Sequence, residues 1–528
     1  MYGRYLLILI MLIFVSCAKR SRPTGGPEDN DAPIMVSTKP PYKSLNFKSD
    51  EIRIYFNEYI KLKEVNTQLI ISPPLKYPPI ITPLGTATKF IKIKILDTLK
   101  QNTTYTFNFG QSVIDNTEGN ILNNFKYIFS TGDVIDTLSV SGTIRDAFNE
   151  EADKNVLIML YEKNELFNDS IIYKEKPNYV ANTLDTIAWE ISNIKAGKYL
   201  MVALKDASNN YIFNPKEDKI GFETKEIQIP TDEKYEITVF KEILPFKLNR
   251  PSVISNGHVI FGYEGIADSL KIDVLSPPDD FKSIAVFDKD KDSLNYRYMG
   301  SAIDSLNLIV SNQEFKDTIS LRLSSKLRDS LILKASIRSI LHLRDTLKLI
   351  SNIPIDSIDS SKINFIDRDT VAIPFTTKLS LSRKEIDIFF DKTYNSQNKI
   401  EFLPKAIKDF YENVNDTLIF RFSIKQPSEY GNIFLKFENV KSYPIIVQLI
   451  DKNAKIIESV YAKVPQDFSF RNLVVAKYKV RIIYDTNGNG IYDTGNYLLK
   501  IQPENVVHYP EEIDVRSNWD ITETFILK

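Results

Sequence analysis

Of 528 residues only Cys17 is a cysteine, and only His258, His342 and His508 are histidines. A single thiol excludes a disulfide framework. The histidines are far apart in sequence, with no metal-ligand spacing, so each reads as a surface or turn residue. An excess of charge of one sign is also missing. Lys and Arg total 67 against 68 for Asp and Glu, a formal net charge of −1, and no long single-sign run occurs, which speaks against a nucleic-acid partner. No Gly-x-Ser-x-Gly, Walker or dinucleotide motif is present, so no nucleophile is assigned and the chain reads as non-enzymatic. A carboxylate pair acting on glycans leaves no mark in sequence. The two tryptophans, Trp189 and Trp519, are isolated and read as core residues before they read as a sugar platform. Glycine is scarce, 18 against 25 prolines, which suggests turns and strand edges rather than flexible linkers. No stretch has the period of a long amphipathic helix.

A bilayer-spanning run is lacking too. The one apolar stretch, Leu6 to Val15 behind Arg4, is far short of the ~20 residues a spanning helix needs and has the length of a signal-peptide core. Cys17 follows directly. Cleavage before it would free it for acylation, and a lipid there would leave the mature chain no thiol. The other reading is an ordinary or uncleaved signal with an incidental cysteine. Residues 1–16 are therefore expected to be a signal peptide. Residues 17–30, polar and rich in Arg, Pro and Gly, are expected to be a lipidated tether.

What the chain has in quantity is strand-forming sequence. Phe (31) and Tyr (27) join many Ile, Val and Thr, and period-two stretches such as Glu51–Phe56 and Phe90–Ile95 recur between turn signals. The expected fold is all-β, a tandem array of sandwiches, because the length exceeds what one core serves. The expected boundaries are 31–133, 134–245, 246–360, 361–440 and 441–528.

The chain also repeats. Asn193–Asn214 aligns without a gap to Asn472–Asp493, pairing Asp206 with Asp485 and Asn210 with Asn489, 279 residues apart. Upstream, Lys163-Asn164 matches Lys452-Asn453 at 289 residues, so the first copy holds a longer loop within Glu165 to Asp185. In both copies a strand ends in an Asp/Asn loop. The second, Asp485-Thr-Asn487-Gly-Asn489-Gly490-Ile491-Tyr-Asp493, resembles the first part of an EF-hand loop. It departs from that pattern at Asn496, where a bidentate Glu belongs, and a strand rather than a helix precedes it. As a metal site it would take a structural Ca2+ through Asp485, Asn487, Asn489 and Asp493 and through the carbonyl of Ile491. As a turn it would join two strands without metal. In the first copy Asp206, Ser208, Asn210 and Asn214, with Asp218 nearby, make a weaker ligand set.

Other residues carry specific resemblances. Ile54-Tyr-Phe56-Asn57-Glu58, Ile71-Ser-Pro-Pro74, Asn102-Thr-Thr-Tyr105, Asp115 with Gly119-Asn120, and Phe129-Ser-Thr-Gly132 are similar to the SbsA-type bacterial Ig-like domain, a non-catalytic module of surface and lipid-anchored proteins. Residues 361–440 echo it. Val140-Ser-Gly142-Thr-Ile144 and Val156–Tyr161, like Ile445–Ile450 near the C-terminus, resemble prealbumin-like or carboxypeptidase-regulatory-like sandwiches. Phe14-Val-Ser16-Cys17 resembles a lipobox with Phe14 in the usual place of Leu. With Pro23-Thr-Gly-Gly-Pro27 behind it, the arrangement is similar to Bacteroidota outer-membrane lipoproteins. A repeated Asp-Ser/Thr-aliphatic pattern, at Thr98, Thr137, Ser269, Ser305, Thr318, Thr346 and Thr417, resembles O-glycosylation acceptors of Bacteroidota envelope proteins. It equally suits an Asp closing a turn before a strand, and many of these hydroxyls are expected to point inward. The resemblance implies a lipid-anchored structural or protein-binding envelope component. Its protein partner would lie in the outer membrane, and one form of this reading is an accessory subunit of a β-barrel assembly or secretion complex. The alternative is a glycan-binding or glycan-processing surface lipoprotein. Pockets with clustered aromatics would favour the alternative.

Overall fold

A computed structural model describes residues 29–165, 167–300, 304–323 and 326–527. The expected signal, Cys17 and most of the tether lie outside the described residues. The regular structure of the described residues is almost entirely strand, as the aromatic and β-branched composition favours.

The chain separates into two compact units. One contains the described residues up to Ile144 together with Asp153–Ile212 and Phe222–Ile237; the other contains Arg145–Ala152, Phe213–Gly221 and Thr238 onwards. The first unit opens with β1 (Met35–Lys39), β2 (Glu51–Leu62), β3 (Ile70–Ser72), β4 (Ile80–Thr82), β5 (Thr88–Lys94), β6 (Thr104–Asn108), β7 (Val113–Asp115) and β8 (Lys126–Ser130). They form two facing sheets, β1-β2-β5-β4 with β7 beside β2, and β3-β6-β8. Period two places Ile52, Ile54 and Phe56 of β2 and Ile91 and Ile93 of β5 inward, against Tyr105, Phe107, Tyr127 and Phe129. Phe129 is fully buried, and Phe47 stacks on it with ring centroids 3.8 Å apart.

The next elements are β9 (Leu138–Asp146), β10 (Leu157–Glu162), β11 (Tyr179–Asn182), β12 (Ala188–Ile194), β13 (Gly197–Lys205), β14 (Lys219–Phe222), β15 (Ile227–Ile229) and β16 (Lys234–Val239). One sheet runs β12-β9-β16; the other contains β11-β10-β13 with β15 beside β13. Gly142 is needed in β9 because a Cβ there would meet the Tyr235 carbonyl oxygen at 1.9 Å and the Trp189 ring at 2.7 Å. Trp189 is thus a core residue, whereas Trp519 is half exposed, with the Arg516 guanidinium 5.2 Å from its ring.

Both topologies recur in the second unit. Leu333–Ala335, Leu347–Ser351, Glu385–Phe390 and Phe375–Leu379 pair in the order of β1-β2-β5-β4. Ile355–Ile358 pairs with Ile407–Asp409 as the far end of β2 pairs with β7, Ile355 facing Asp409 where Ile60 faces Asp115. Ile363–Ile366, Ser396–Phe402 and Leu418–Ile424 repeat β3-β6-β8. Gly431–Glu438 then lies between Phe468–Leu473 and Asp520–Ile526, as β9 lies between β12 and β16. Ile456–Ala462, Ile445–Asp451 and Ala476–Tyr484, with Ile513–Val515 beside the last, repeat β11-β10-β13 and β15. The extra length of the first copy falls between Glu162 and Tyr179, which holds a 3-10 turn, Asp169–Tyr173, where the second copy turns directly from Asp451 to Ile456.

Two expected boundaries are corrected. Leu347–Ser351 hydrogen-bonds to Glu385–Phe390 across position 360. Gly431–Glu438 pairs in parallel with Asp520–Ile526 across position 440. A period-two pattern marks a strand but not its partner, so a boundary placed between strand runs misses long-range pairing. A separate sandwich, with Val259, Phe261, Tyr296 and Leu308 in its core, follows the first duplicated pair and precedes the second along the sequence.

Truncating Phe129 to Ala should cost about 3–5 kcal/mol, whereas Leu381→Ala, at a fully exposed site, should stay within about 0.5 kcal/mol. Urea unfolding followed by circular dichroism compares the two.

Candidate functional site

The strand Ala476–Tyr484 delivers Asp485 to the start of the candidate loop, and Asp485 is 2 % exposed. Its carboxylate is turned into the loop. Oδ1 accepts the backbone N–H of Gly488 at 2.8 Å and Asn489 at 3.2 Å, and Oδ2 that of Gly490 at 2.8 Å. Gly488 and Gly490 lie at φ of 76° and 81°, which lets the chain wrap so tightly. Burial pushes the Asp485 pKa up, but these N–H groups and the Tyr461 hydroxyl outweigh it and hold the carboxyl below its usual range. Asn487 Oδ1 accepts from Asn489 N–H at 3.0 Å and Asn489 Oδ1 from Ile491 N–H at 2.9 Å, two Asx turns in series. Both Nδ2 groups then donate to Asp493 Oδ2 at 2.7 Å.

The sequence reading missed Glu504. Almost fully buried, it accepts from Thr486 N–H at 2.6 Å and Thr486 Oγ1 at 3.0 Å with Oε1, and from Asp493 N–H at 3.1 Å with Oε2, closing both ends of the loop. No local pattern marks it, because it lies 18 residues beyond Thr486.

The residues do not fit a calcium ion as arranged. Asn487, Asn489 and Asp493 converge, but the amides present N–H donors where a cation needs oxygens, and the Asx turns fix that orientation. Asp485 and Glu504 are both engaged by N–H groups. The Ile491 side chain is exposed. Among the described residues no group of three or more His, Cys, Asp or Glu is placed to hold a metal. In the first copy Asp206 likewise accepts from Ser208 N–H at 3.0 Å and Tyr211 N–H at 2.7 Å. Asn210 Oδ1 accepts from Ile212 N–H, and Asp218 Oδ2 from Asn214 N–H.

Beyond Asp493 the loop is docked on neighbouring chain. Thr494 Oγ1 donates to the Lys241 carbonyl at 2.7 Å, and Tyr497 N–H to Glu242 Oε1 at 2.5 Å. A Cβ on Gly495 would meet the Phe240 ring at 2.5 Å, so glycine is needed there. The segment Arg145–Ala152 packs beside it. Phe148 lies 4.6 Å from the Tyr492 ring, with the buried Arg481 guanidinium 3.9 Å from the Phe148 centroid. Burial lowers the Arg481 pKa to about 10. Lys479 pairs with Glu150 at 2.7 Å, and His508 Nε2–H donates to the Phe148 carbonyl at 3.1 Å.

The histidines depart from a surface reading. His508 is partly buried, and burial lowers its pKa. His258 is nearly fully buried on a strand, with Nδ1 3.1 Å from Asp329 Oδ2 and Nε2 2.8 Å from Asn295 Oδ1. Arg297 also pairs with Asp329, at 3.0 Å, and Ser255 Oγ donates to the other carboxylate oxygen at 3.2 Å. Ser255, Asp329 and His258 therefore meet without a nucleophile on the histidine; the aspartate is the hub of a packing network. His342 Nδ1 lies 3.2 Å from the Tyr430 hydroxyl. The expected inward hydroxyls are likewise corrected. Thr98, Thr137, Ser269, Ser305, Thr318 and Thr417 are exposed and Thr346 is half-buried; most follow an Asp in the irregular chain before a strand, whereas Thr318 lies within the strand Phe315–Arg322 on its outward side.

Two outcomes follow. Asp485→Ala removes the acceptor of three loop N–H groups at once and should cost about 1–2 kcal/mol, and Asp485→Asn less, because one acceptor remains; thermal unfolding measures both. His508 has a folded pKa below its unfolded value near 6.5, so its contribution is present above that pH and lost as pH falls toward the folded pKa. The unfolding midpoint of His508→Gln should thus fall less than that of the parent between about pH 7 and about pH 5.

No curated protein matches the chain. Among solved structures it is similar to the S-layer protein rSbsC(31-844), at 12% identity over 91% of this chain and 67% of that one, with a TM-score of 0.16. It is similar to the TIE protein of Bacillus anthracis at 11% identity over 99% and 78%, TM-score 0.15. It is also similar to BcpA, the major pilin subunit of Bacillus cereus, at 10% identity over 74% and 99%, TM-score 0.14. These values carry no argument about function. Among the described residues no helix is long and apolar enough to cross a membrane. Residues 29–131, which hold β1 to β8, match the family model of the bacterial Ig-like domain.

Proposed function

We propose that the chain is a structural, protein-binding component of a bacterial cell envelope, anchored in the outer membrane through acylated Cys17 and without catalytic activity. The observation that carries this reading is that the candidate loop turns the carboxylates of Asp485 and Glu504 onto its own backbone N–H groups, where they hold the turn. The matched Ig-like domain and the duplicated pair of sandwich topologies suit a scaffold whose loops and sheet edges meet partners. The anchor rests on the sequence of Arg4, Leu6–Val15 and Cys17. A partner of β-barrel type is the finer form of the reading, in keeping with a lipoprotein held at that membrane. The exposed Ser and Thr residues after Asp would be the sites of any O-glycosylation.

Cys17→Ser should abolish labelling by a palmitate analogue and release the protein from the membrane fraction; retention with unchanged labelling would overturn the anchor. Affinity isolation of the tagged protein from detergent-solubilised membranes should recover a stoichiometric partner. Repeated recovery of the lipoprotein alone under gentle extraction would overturn the accessory-subunit form.

A further inference from the structure

The two Asp/Asn loops are copies of one loop, so together they show which residues the scaffold needs. Each is closed by a carboxylate that accepts the N–H of its last aligned residue. Asp218 Oδ2 takes that of Asn214 at 2.7 Å, and Glu504 Oε2 takes that of Asp493 at 3.1 Å. Asp218 lies four residues beyond Asn214, and Glu504 eleven beyond Asp493. The second copy is therefore seven residues longer, within Thr494 to Pro503, although each copy then continues into a strand, Lys219–Phe222 or Val506–His508. The first copy closes without the extension, and extra length on a fixed scaffold is where function is added.

Part of the extension is fastened and part is offered to the outside. Thr494 Oγ1 is bonded to the Lys241 carbonyl, Gly495 packs on the Phe240 ring, and Tyr497 is fully buried, with Lys500 Nζ 3.9 Å from its ring centroid. Asn496 closes the tip. Its N–H donates to the Ile501 carbonyl at 2.8 Å, its carbonyl accepts the Ile501 N–H at 2.9 Å, and its Oδ1 accepts the Leu499 N–H at 2.9 Å. Lys500 N–H donates to the Tyr497 carbonyl at 3.1 Å. On this fixed turn Leu498, Leu499 and Ile501 are 57%, 69% and 50% exposed. One exposed leucine needs no explanation. Three aliphatic side chains on so short a turn, with the only aromatic of the extension turned inward, do.

The chemistry of the occupant follows from the turn itself. Leu498 and Leu499 are adjacent at its apex and both exposed, which suits a medium that surrounds the tip better than a groove that meets one side of it. The N–H groups of Leu499, Lys500 and Ile501 are bonded within the turn, as an apolar medium requires and water does not. Protein interfaces centre on Trp, Tyr and Arg and are poor in Leu, and the extension exposes none of those three. It has no acidic residue, and its one cation is Lys500.

We propose that Tyr497–Ile501 is a membrane-contacting tip. Leu498, Leu499 and Ile501 enter the interfacial region of a bilayer, and Lys500 lies at the level of the anionic headgroups. The contact is local to this loop and does not rest on acylation of Cys17.

A fluorophore at the tip tests it in the full chain. With Cys17→Ser in place, Leu499→Cys supplies the only thiol, and a nitrobenzoxadiazole group attached there reports its own surroundings. On addition of vesicles of phosphatidylethanolamine and phosphatidylglycerol its emission should shift to the blue and be quenched by nitroxide-labelled acyl chains. The same group on Leu381→Cys, at a fully exposed site, should do neither. Leu498→Asp, which charges the apex and leaves the backbone bonds of the turn in place, should abolish the shift. Emission unchanged by vesicles, or changed equally at both labelled sites, would overturn the tip. A blue shift that appears without lipid and grows with protein concentration would place a second copy of the chain on the tip, and would overturn the lipid assignment.

Discussion

A buried aspartate capturing the backbone N–H groups of the turn that follows a strand is the interaction on which this architecture depends. A chain of many strands and few glycines must hold many tight turns in one conformation, and a carboxylate that accepts several of their amides does so. Asp115 takes four, from Thr117, Glu118, Gly119 and Asn120, at 2.6–3.2 Å. Asp409, its topological counterpart, takes those of Tyr411 and Asn413 and is fully buried. Asp485 takes three, and Asp146 two, with Lys219 on its second oxygen at 2.7 Å. For Asp115 as for Asp485, burial pushes the pKa up and the captured N–H groups bring it below the usual range. Asp115 and Asp485 thus stabilise the fold while ionised, and that contribution is lost as pH falls through their folded pKa.

The same interaction explains why a metal-like motif can be a metal-free turn. Asp, Asn and Gly at alternating positions are what a calcium loop needs, and they are also what nested Asx turns need. The choice is made by the direction in which the amides point, and that direction is set by bonds from Asn489 and Ile491 N–H and by the distant Glu504.

Legibility followed the range of the interaction. The all-β class, the alternation of β2 and β5 and the duplication announced by Asp206 and Asp485 are local or repeated patterns, and they stand in the sequence. The boundaries at 360 and 440, the staple by Glu504 and the burial of His258 depend on partners far along the chain. The parallel pairing of Asn432 with Asp520 is an example, since neither strand alone names the other.

Amide hydrogen exchange at Gly488, Asn489 and Gly490, in calcium and in chelator, tests most directly whether carboxylate capture holds the loop. Strong protection in both conditions is the expected result. Rapid exchange in chelator that becomes slow only with calcium would contradict it, because the loop would then be ordered by the ion rather than by Asp485.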